Sequence, residues 1–266
     1  MSAEAPAEAL RALHRGRAAG DPLIVPGPWD AASARVFEQA GFPALATPSA
    51  GIAASLGYED GRTPPEEMFA AVARIVRAVS VPVTADLEDG YGLAPKELVA
   101  RVLRTGAAGV NLEDSDRSGG LKDPRRHAAW LAEVRAEAGS RLFVNARVDT
   151  YVRGVSDPAA AIERAGLYRA AGADCVYPIA APAEHLALLR KEIGAPLNAL
   201  AVPGGPSCAE LGRLGATRIT FGDGLLLRTL RGVAGLAGEL AGDRHGELAG
   251  QRSGPRATPA GPARPA

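Results

Sequence analysis

Cysteine is almost missing from this chain: Cys175 and Cys208 are the only two in 266 residues. Two are too few for a disulfide framework and suit a reducing compartment. Net charge is missing as well, because 30 basic side chains offset 30 acidic ones. Nothing in that balance favours nucleic acid or a membrane surface as a partner. No uninterrupted apolar run reaches the length of about 18 residues that a membrane-spanning helix needs. The first twenty residues carry Glu4, Glu8, Arg11, Arg15 and Arg17 without an apolar core, which excludes a secretion signal. The expected location is therefore the cytoplasm. Histidines number only four and do not cluster with cysteine, so zinc has no obvious ligand set.

What the chain has is hydrophobic bulk, 47% of residues, punctuated by 32 glycines and 21 prolines. Its length suits one large domain with a sizeable core. Short apolar runs alternate with amphipathic stretches from end to end. Strands are expected at 23–26, 44–47, 82–87, 109–112, 142–146, 175–178, 197–202 and 218–221. Helices are expected between and after them at 31–40, 66–79, 95–104, 125–138, 158–171, 183–193, 208–214 and 225–240, with another in residues 1–20. Asp30 is placed to cap the first of these, and Pro95 suits a first helical turn. Gly41, Gly106, Gly172, Gly194 and Gly215 follow helix ends, where a left-handed cap is wanted. Eight strand–helix units with continuously apolar strands predict a closed (β/α)8 TIM barrel over residues 1–242. The rival, a doubly wound open sheet, lacks the glycine-rich phosphate loop after the first strand. Residues 243–266 are poor in large apolar side chains and are expected to be disordered.

A barrel of this kind keeps its site at the carboxyl ends of its strands. The stretch 81–92 is the most telling of these, an apolar run that ends in Asp86, Glu88 and Asp89 before a Gly-Tyr-Gly turn. The next strand ends in Glu113 and Asp114. Carboxylates gathered at neighbouring strand ends repel one another unless a cation or a proton lies between them. Oxygen ligands without histidine or cysteine suit Mg2+ or Mn2+. Arg147, at another strand end, offers a fork for an oxyacid. Ser49, Ala50 and Gly51, expected in a long loop reaching Asp60, offer a hydroxyl and backbone N–H groups for the other end of a small anion. The ligand so implied is a small, doubly charged acid. A metal beside a 2-oxo acid would stabilise a developing enolate. Asp89, Asp114 and Asp116 read as loop or cap residues, His14, His127, His185 and His245 as surface residues, and both cysteines as packing residues. Tyr91 is a candidate to lie over the site.

Taken together, these strand ends resemble the isocitrate lyase / phosphoenolpyruvate mutase superfamily. The resemblance rests on Ala-Thr-Pro-Ser-Ala-Gly at 46–51, Ser-Leu-Gly-Tyr-Glu-Asp-Gly at 55–61, Thr-Ala-Asp at 84–86, Gly-Tyr-Gly at 90–92, Asn-Leu-Glu-Asp at 111–114 and Asn-Ala-Arg-Val-Asp at 145–149. It runs from about Asp21 to Leu240. The resemblance implies a Mg2+ held near Asp86, directly or through water, with Glu113 supporting that shell. It implies that Ser49, Gly51 and Arg147 bind the substrate carboxylate, that Asn198 contacts substrate, and that Asp60 shapes the site near the reacting bond. It also implies a homotetramer in which a C-terminal helix packs on a neighbouring subunit.

The departures from the family pattern are specific. Where its lyases carry a Lys-Lys/Arg-Cys-Gly-His loop, residues 115–123 hold neither cysteine nor histidine. That argues against isocitrate or methylisocitrate cleavage by the usual route. Thr84 stands where many members have the first acid of an Asp-Ala-Asp pair, which leaves Glu88 as the candidate replacement and a possible metal ligand. Ile179 or Ala180 stands where lyases place a glutamate, and Gly27 and Pro28 replace Asn-Ala before Trp29 and Asp30. The expected activity is a Mg2+-dependent step on the C–C or C–P bond of a small 2-oxo or 2-hydroxy acid. Asp60, Glu88 and a metal-held water remain open as the general base. Two alternatives stand beside it: a phosphonopyruvate hydrolase-like C–P hydrolase, and a barrel without catalysis that serves as a binding or assembly subunit.

Overall fold

β-Branched and small apolar residues between glycine caps form the strands, and each short strand runs into a loop before its helix. The structure, a computed structural model, describes residues 5–18, 20–116 and 118–251, with side chains as far as residue 242. In chain order the elements are α1 (Ala5–His14), β1 (Leu23–Ile24), α2 (Ala31–Gln39), β2 (Leu45–Thr47), α3 (Ser49–Leu56), α4 (Pro65–Ala78), β3 (Val83–Asp86), α5 (Pro95–Thr105), β4 (Gly109–Glu113) and α6 (Pro124–Ala138). They continue with β5 (Phe143–Val148), α7 (Pro158–Ala170), β6 (Cys175–Pro178), α8 (Leu186–Ile193), β7 (Asn198–Leu200), α9 (Cys208–Arg213), β8 (Arg218–Thr220) and α10 (Gly224–Gln251).

All strand pairs are parallel. β2 through β6 pair in sequence order, and β1, β8 and β7 pair as a second run. Two contacts join these runs into a barrel. Ala46 N–H donates to Pro26 O at 3.0 Å between β1 and β2, and Val176 N–H donates to Pro196 O at 3.0 Å between β6 and β7. The strand register sets Asp86 beside Asn111 and Glu113 beside Arg147. α1 packs against the amino-terminal ends of β5 and β6. Arg11 donates to Asp174 Oδ1 at 2.9 Å and to Leu142 O at 2.5 Å, and the His14 ring stacks on Phe143 at 4.4 Å.

Local signals held where backbone chemistry is decisive. Asp30 caps α2 by accepting from Ser33 N–H at 2.7 Å. Pro95 sits in the first turn of α5. Gly106, with φ +81°, ends α5 in the left-handed region that a side chain strongly disfavours. Several expectations need correction. Residues 49–56 are not loop but helix α3, which begins after Pro48 and ends on left-handed Gly57. His14 and His127 are not at the surface: they are only 7% and 2% exposed. Burial, reinforced by the Arg218 charge and opposed by the Leu10 carbonyl and Asp174, pushes the His14 pKa down to about 4, and burial with Lys122 nearby takes His127 to about 3. His185 is half-buried beside the Tyr151 hydroxyl, and the His245 side chain lies outside the described residues.

The chain divides into two compact units, residues 1–226 and 227–266. The first contains the barrel. In the second, α10 continues through residue 251, past the boundary at 243 where disorder was expected, and residues 252–266 lie outside the described residues. Leu227, Leu230, Val233, Leu236 and Leu240 are exposed along this helix. No described helix is long and apolar enough to cross a membrane.

Candidate active site

The carboxyl end of β3 is where the backbone departs furthest from ordinary geometry. Asp86 closes the strand, and within two residues Glu88 adopts φ +51°. Gly90, Tyr91 and Gly92 follow at φ +82°, +58° and +67°. Two glycines make such a turn accessible, but Glu88 and Tyr91 hold it against their own preference, at a cost of about 1–2 kcal/mol each. Backbone bonds maintain it. Leu87 N–H donates to Asn111 O at 3.2 Å, Glu113 N–H to Glu88 O at 2.9 Å, and Tyr91 N–H to the Asp89 carboxylate at 2.8 Å. Lys122 Nζ reaches across to the carbonyls of Asp89 and Glu113, each at 3.3 Å, and so ties the ends of β3 and β4 together. Gly90 has a further reason to be glycine: a Cβ there would lie 2.8 Å from the Trp130 ring.

Four charged groups meet at these strand ends. Arg147 Nη1 lies 2.7 Å from Glu113 Oε2 and 3.7 Å from Asp86 Oδ2, while its Nε and Nη2 donate to Asp149 at 2.6 and 3.0 Å. Ser49 Oγ donates to Asp86 Oδ2 at 3.2 Å. Burial raises the Asp86 pKa, with Arg147 working against it. Burial likewise pushes Glu113 up to about 8, again opposed by Arg147. Burial would also weaken the Arg147 charge, but Glu113, Asp86 and Asp149 more than restore it. The Tyr91 phenol is buried among the same acids and is pushed well up by burial and then by Glu88, Asp86 and Glu113. Its ring packs edge-on against Phe69.

A further layer of residues holds this group in place, and sequence reasoning undervalued it. Asp114, expected as a loop residue, is fully buried. Its carboxylate accepts from Asp149 N–H at 2.8 Å, Tyr168 Oη at 2.7 Å and Arg164 Nη1 at 2.9 Å. It thereby fixes the backbone from which Asp149 grips Arg147. Ser115 Oγ donates to Asp149 Oδ2 at 2.6 Å and accepts from Arg153 Nε at 2.8 Å. The signal for Asp114 was present in the chain as an acid directly following Glu113. Only its partners, some 35 to 54 residues away, turn it from a loop acid into a junction.

An open cavity of about 340 Å3 lies against this cluster. Ser49, Asp60, Glu88, Glu113 and Arg147 all line it, so five of the residues singled out from sequence converge there. Arg62, Asp89, Asp116 and Arg153 join them, none of which was expected to contribute. Asp86 lies just behind, touching Ser49 and Arg147. Glu88, two residues beyond Asp86, places a second acid at this strand end where Thr84 is buried inside the barrel. Ala50 and Gly51 are in the first turn of α3 and are not among the cavity walls. A Cβ on Gly51 would lie 2.8 Å from Pro48 Cγ, so packing of α3 against the preceding residues already accounts for that glycine. Asn198 is fully buried at the first position of β7, its amide donating to Thr220 Oγ1 at 2.8 Å, and it does not reach the cavity.

Among the described residues no three acids, histidines or cysteines close on one point as a ready cage for an ion. The donors nevertheless fit a hard cation. Asp86 Oδ1 is buried without a hydrogen-bond partner among the described residues, and Glu113 and Glu88 bring oxygen ligands to the same strand ends.

With this geometry in view, comparison with known proteins is informative. Residues 10–241 match the family model for phosphoenolpyruvate phosphomutase. The chain is 38% identical over 205 residues to the uncharacterized protein Rv1998c of Mycobacterium tuberculosis, covering 76% of this chain and 78% of that one. It is 33% identical over 207 residues to the 2-methylisocitrate lyase of Aeropyrum pernix, covering 74% and 66%. Among solved structures it resembles 2,3-dimethylmalate lyase, a member of the PEP mutase/isocitrate lyase superfamily, with TM-score 0.78, 27% identity and coverage of 90% and 88%. Phosphoenolpyruvate phosphomutase from Streptomyces platensis subsp. rosaceus is similar at TM-score 0.79 and 25% identity, with 89% and 88% covered.

Proposed function

Because the chain belongs to the phosphoenolpyruvate phosphomutase family, whose enzymes cleave or rearrange C–C or C–P bonds, we propose that it acts on a small 2-oxo or 2-hydroxy acid through an enolate-like intermediate, with Mg2+ as its cofactor. The observation that supports this most directly is the buried Asp86–Glu113–Arg147 group beside a small polar cavity at the carboxyl end of the barrel. Buried acids with raised pKa values are costly for a fold and are typical of functional clefts.

In this reading Asp86 would hold the cation, with Glu113 and Glu88 supporting it. The cation supplies a positive charge next to the oxygen on which negative charge develops. Ser49 Oγ, which lines the cavity, orients the substrate carboxylate. Arg147, held rigidly by Asp149, places a fixed positive charge at the same end of the cavity, where low solvent access strengthens it. Asp60 and Glu88 both line the cavity as carboxylates able to take or return a proton. The loop 115–123 has no cysteine for that task, which is why proton transfer falls to these acids. The exposed apolar side of α10 supports a homo-oligomer, read as a tetramer.

Calorimetry with oxalate, an enolate mimic, is the direct test. Oxalate should bind the intact protein in millimolar Mg2+ and not in its absence, and Asp86→Ala should lose that binding and all turnover while melting like the parent. Metal-independent behaviour, or full turnover by D86A, would refute the metal reading. No oxalate binding under any condition would leave a barrel that serves as a binding or assembly subunit.

A further inference from the structure

We propose that the floor of the barrel binds a small inorganic monoanion of halide size, held by the guanidinium of Arg218. This site lies apart from the catalytic cavity and does not depend on the function proposed above. Arg218 opens β8, with Leu23 of β1 and Asn198 of β7 as its register partners. It is the bulkiest fully buried side chain among the described residues, at 0% exposure. Its Nε, Nη1 and Nη2 all lack a hydrogen-bond partner among those residues. A guanidinium is always charged and carries five N–H donors, so burying it with none engaged costs a fold heavily unless something answers the charge.

No neighbouring group of the protein answers it. Burial pushes the Cys175 thiol and the Tyr177 phenol up to about 12 even with Arg218 nearby, so both stay neutral at neutral pH. Asp174, the acid just before β6, is taken by Arg11, Arg135 and the Val144 N–H. Asp86 closes β3 at the other end of the barrel and is committed to Arg147 and Ser49. His14, which meets the Leu10 carbonyl through Nδ1, is kept neutral by burial. Burial accordingly pulls the Arg218 pKa below the usual arginine value. Bridging water would satisfy the idle N–H groups, and the orphaned amide oxygens of Asn145 and Asn198 would accept from it. Water leaves the charge itself uncompensated, however, and an anion does not.

The surroundings select the kind of ion. The Arg218 Cζ lies 6.0 Å from the centre of the Phe143 ring. Phe143 packs in one apolar cluster with Leu10, Leu23 and Cys175. Walls of that type supply no second fork, so a phosphate or sulfate dianion would keep oxygens and charge unanswered. A spherical monoanion needs only the one weakly hydrated guanidinium and tolerates apolar neighbours. Helix α1 closes this end of the barrel, since Leu10 is fully buried and Arg11 donates to Leu142 O at 2.5 Å. The ion is thus enclosed as the chain folds, and its contribution is to stability.

The test uses bromide as the probe. The full chain is unfolded and refolded in sodium bromide or in sodium gluconate at equal ionic strength, because an enclosed ion exchanges only with the open chain. The parent should melt about 3–6 °C higher in bromide, the shift expected when an ion stands about tenfold above its dissociation constant. Crystals of the bromide sample should show an anomalous scattering peak in contact with the Arg218 guanidinium. Arg218→Met should melt alike in both salts, and Arg218→Lys, which keeps the charge without the fork, should retain a reduced response. Equal midpoints for the parent, no bromide at Arg218, or a bromide response that survives in R218M would each overturn the inference. The first two together would assign the idle N–H groups to water. If R218M does not fold, the midpoint and the bromide position of the parent decide the matter.

Discussion

Glu88 is held at φ +51° beside an acid cluster, so its backbone and its carboxylate make opposing demands. Replacing it with glycine removes the left-handed penalty, which is about 1 kcal/mol, partly offset by the greater freedom of the unfolded chain. Glu88→Gly should therefore melt no lower than the parent while turnover falls at least about tenfold, as expected for loss of a group that handles protons. Denaturant unfolding alongside steady-state rates checks this. An active E88G would show that the strained turn serves only the fold. Asp114 is the opposite case, a residue outside the cavity walls that fixes Asp149 and, through it, Arg147. Asp114→Ala leaves Arg164 and Tyr168 without their shared acceptor. Loss of one partner from such a buried set costs about 3–5 kcal/mol. Urea titration should show that loss as a lower midpoint at unchanged slope.

At the scale of elements, α1 packs a neutral histidine against the foot of the barrel. His14 lies flat on Phe143, and burial followed by the proximity of Arg218 takes its pKa down to about 4 from 6.5. In the unfolded chain the ring binds a proton below pH 6.5, whereas in the folded chain it stays neutral until about pH 4. The unfolded state thus holds more protons across that window, and stability must fall as pH drops through it. The slope is about 1.4 kcal/mol per pH unit for each such group. His127, in α6, adds a second contribution down to about pH 3. Thermal melts between pH 7 and pH 4 should show a shallower decline for His14→Gln than for the parent, and equal slopes would rule this out.

For the whole molecule, the question is what covers α10. Leu227, Leu230, Val233, Leu236 and Leu240 recur every three or four residues and are 44–66% exposed. A stripe of that kind on an isolated chain favours association. Light scattering after size exclusion should return a mass four times that of one chain. Leu230→Asp together with Leu236→Asp should shift it to a smaller species. A monomeric parent would remove the oligomer reading.

Much of this protein followed from local chemistry alone. Apolar strand runs, helix-ending glycines such as Gly106 and the Asp30 cap are decided by a residue and its near neighbours. Eight repeats of that pattern closed into the expected barrel, with Asp60, Glu88, Glu113, Arg147 and Ser49 at one cavity. The rest depended on contacts between distant segments. Residues 49–56 read as loop because glycine and serine dilute the helical preference of the alanines among them, and burial of Ser49, Gly51, Ile52 and Ala53 in the folded chain accompanies their winding into α3. His14 looked like a surface residue until Phe143 covered it. Asp114 became a junction through Tyr168 and Arg164, and Asn198 fell inside the barrel because strand stagger, invisible in one dimension, sets depth. Charge commitment was the last matter that only the folded chain could decide. Arg147 draws three carboxylates from the ends of β3, β4 and β5, and electrostatic pairing of that sort depends on distance in space, to which chain order is blind.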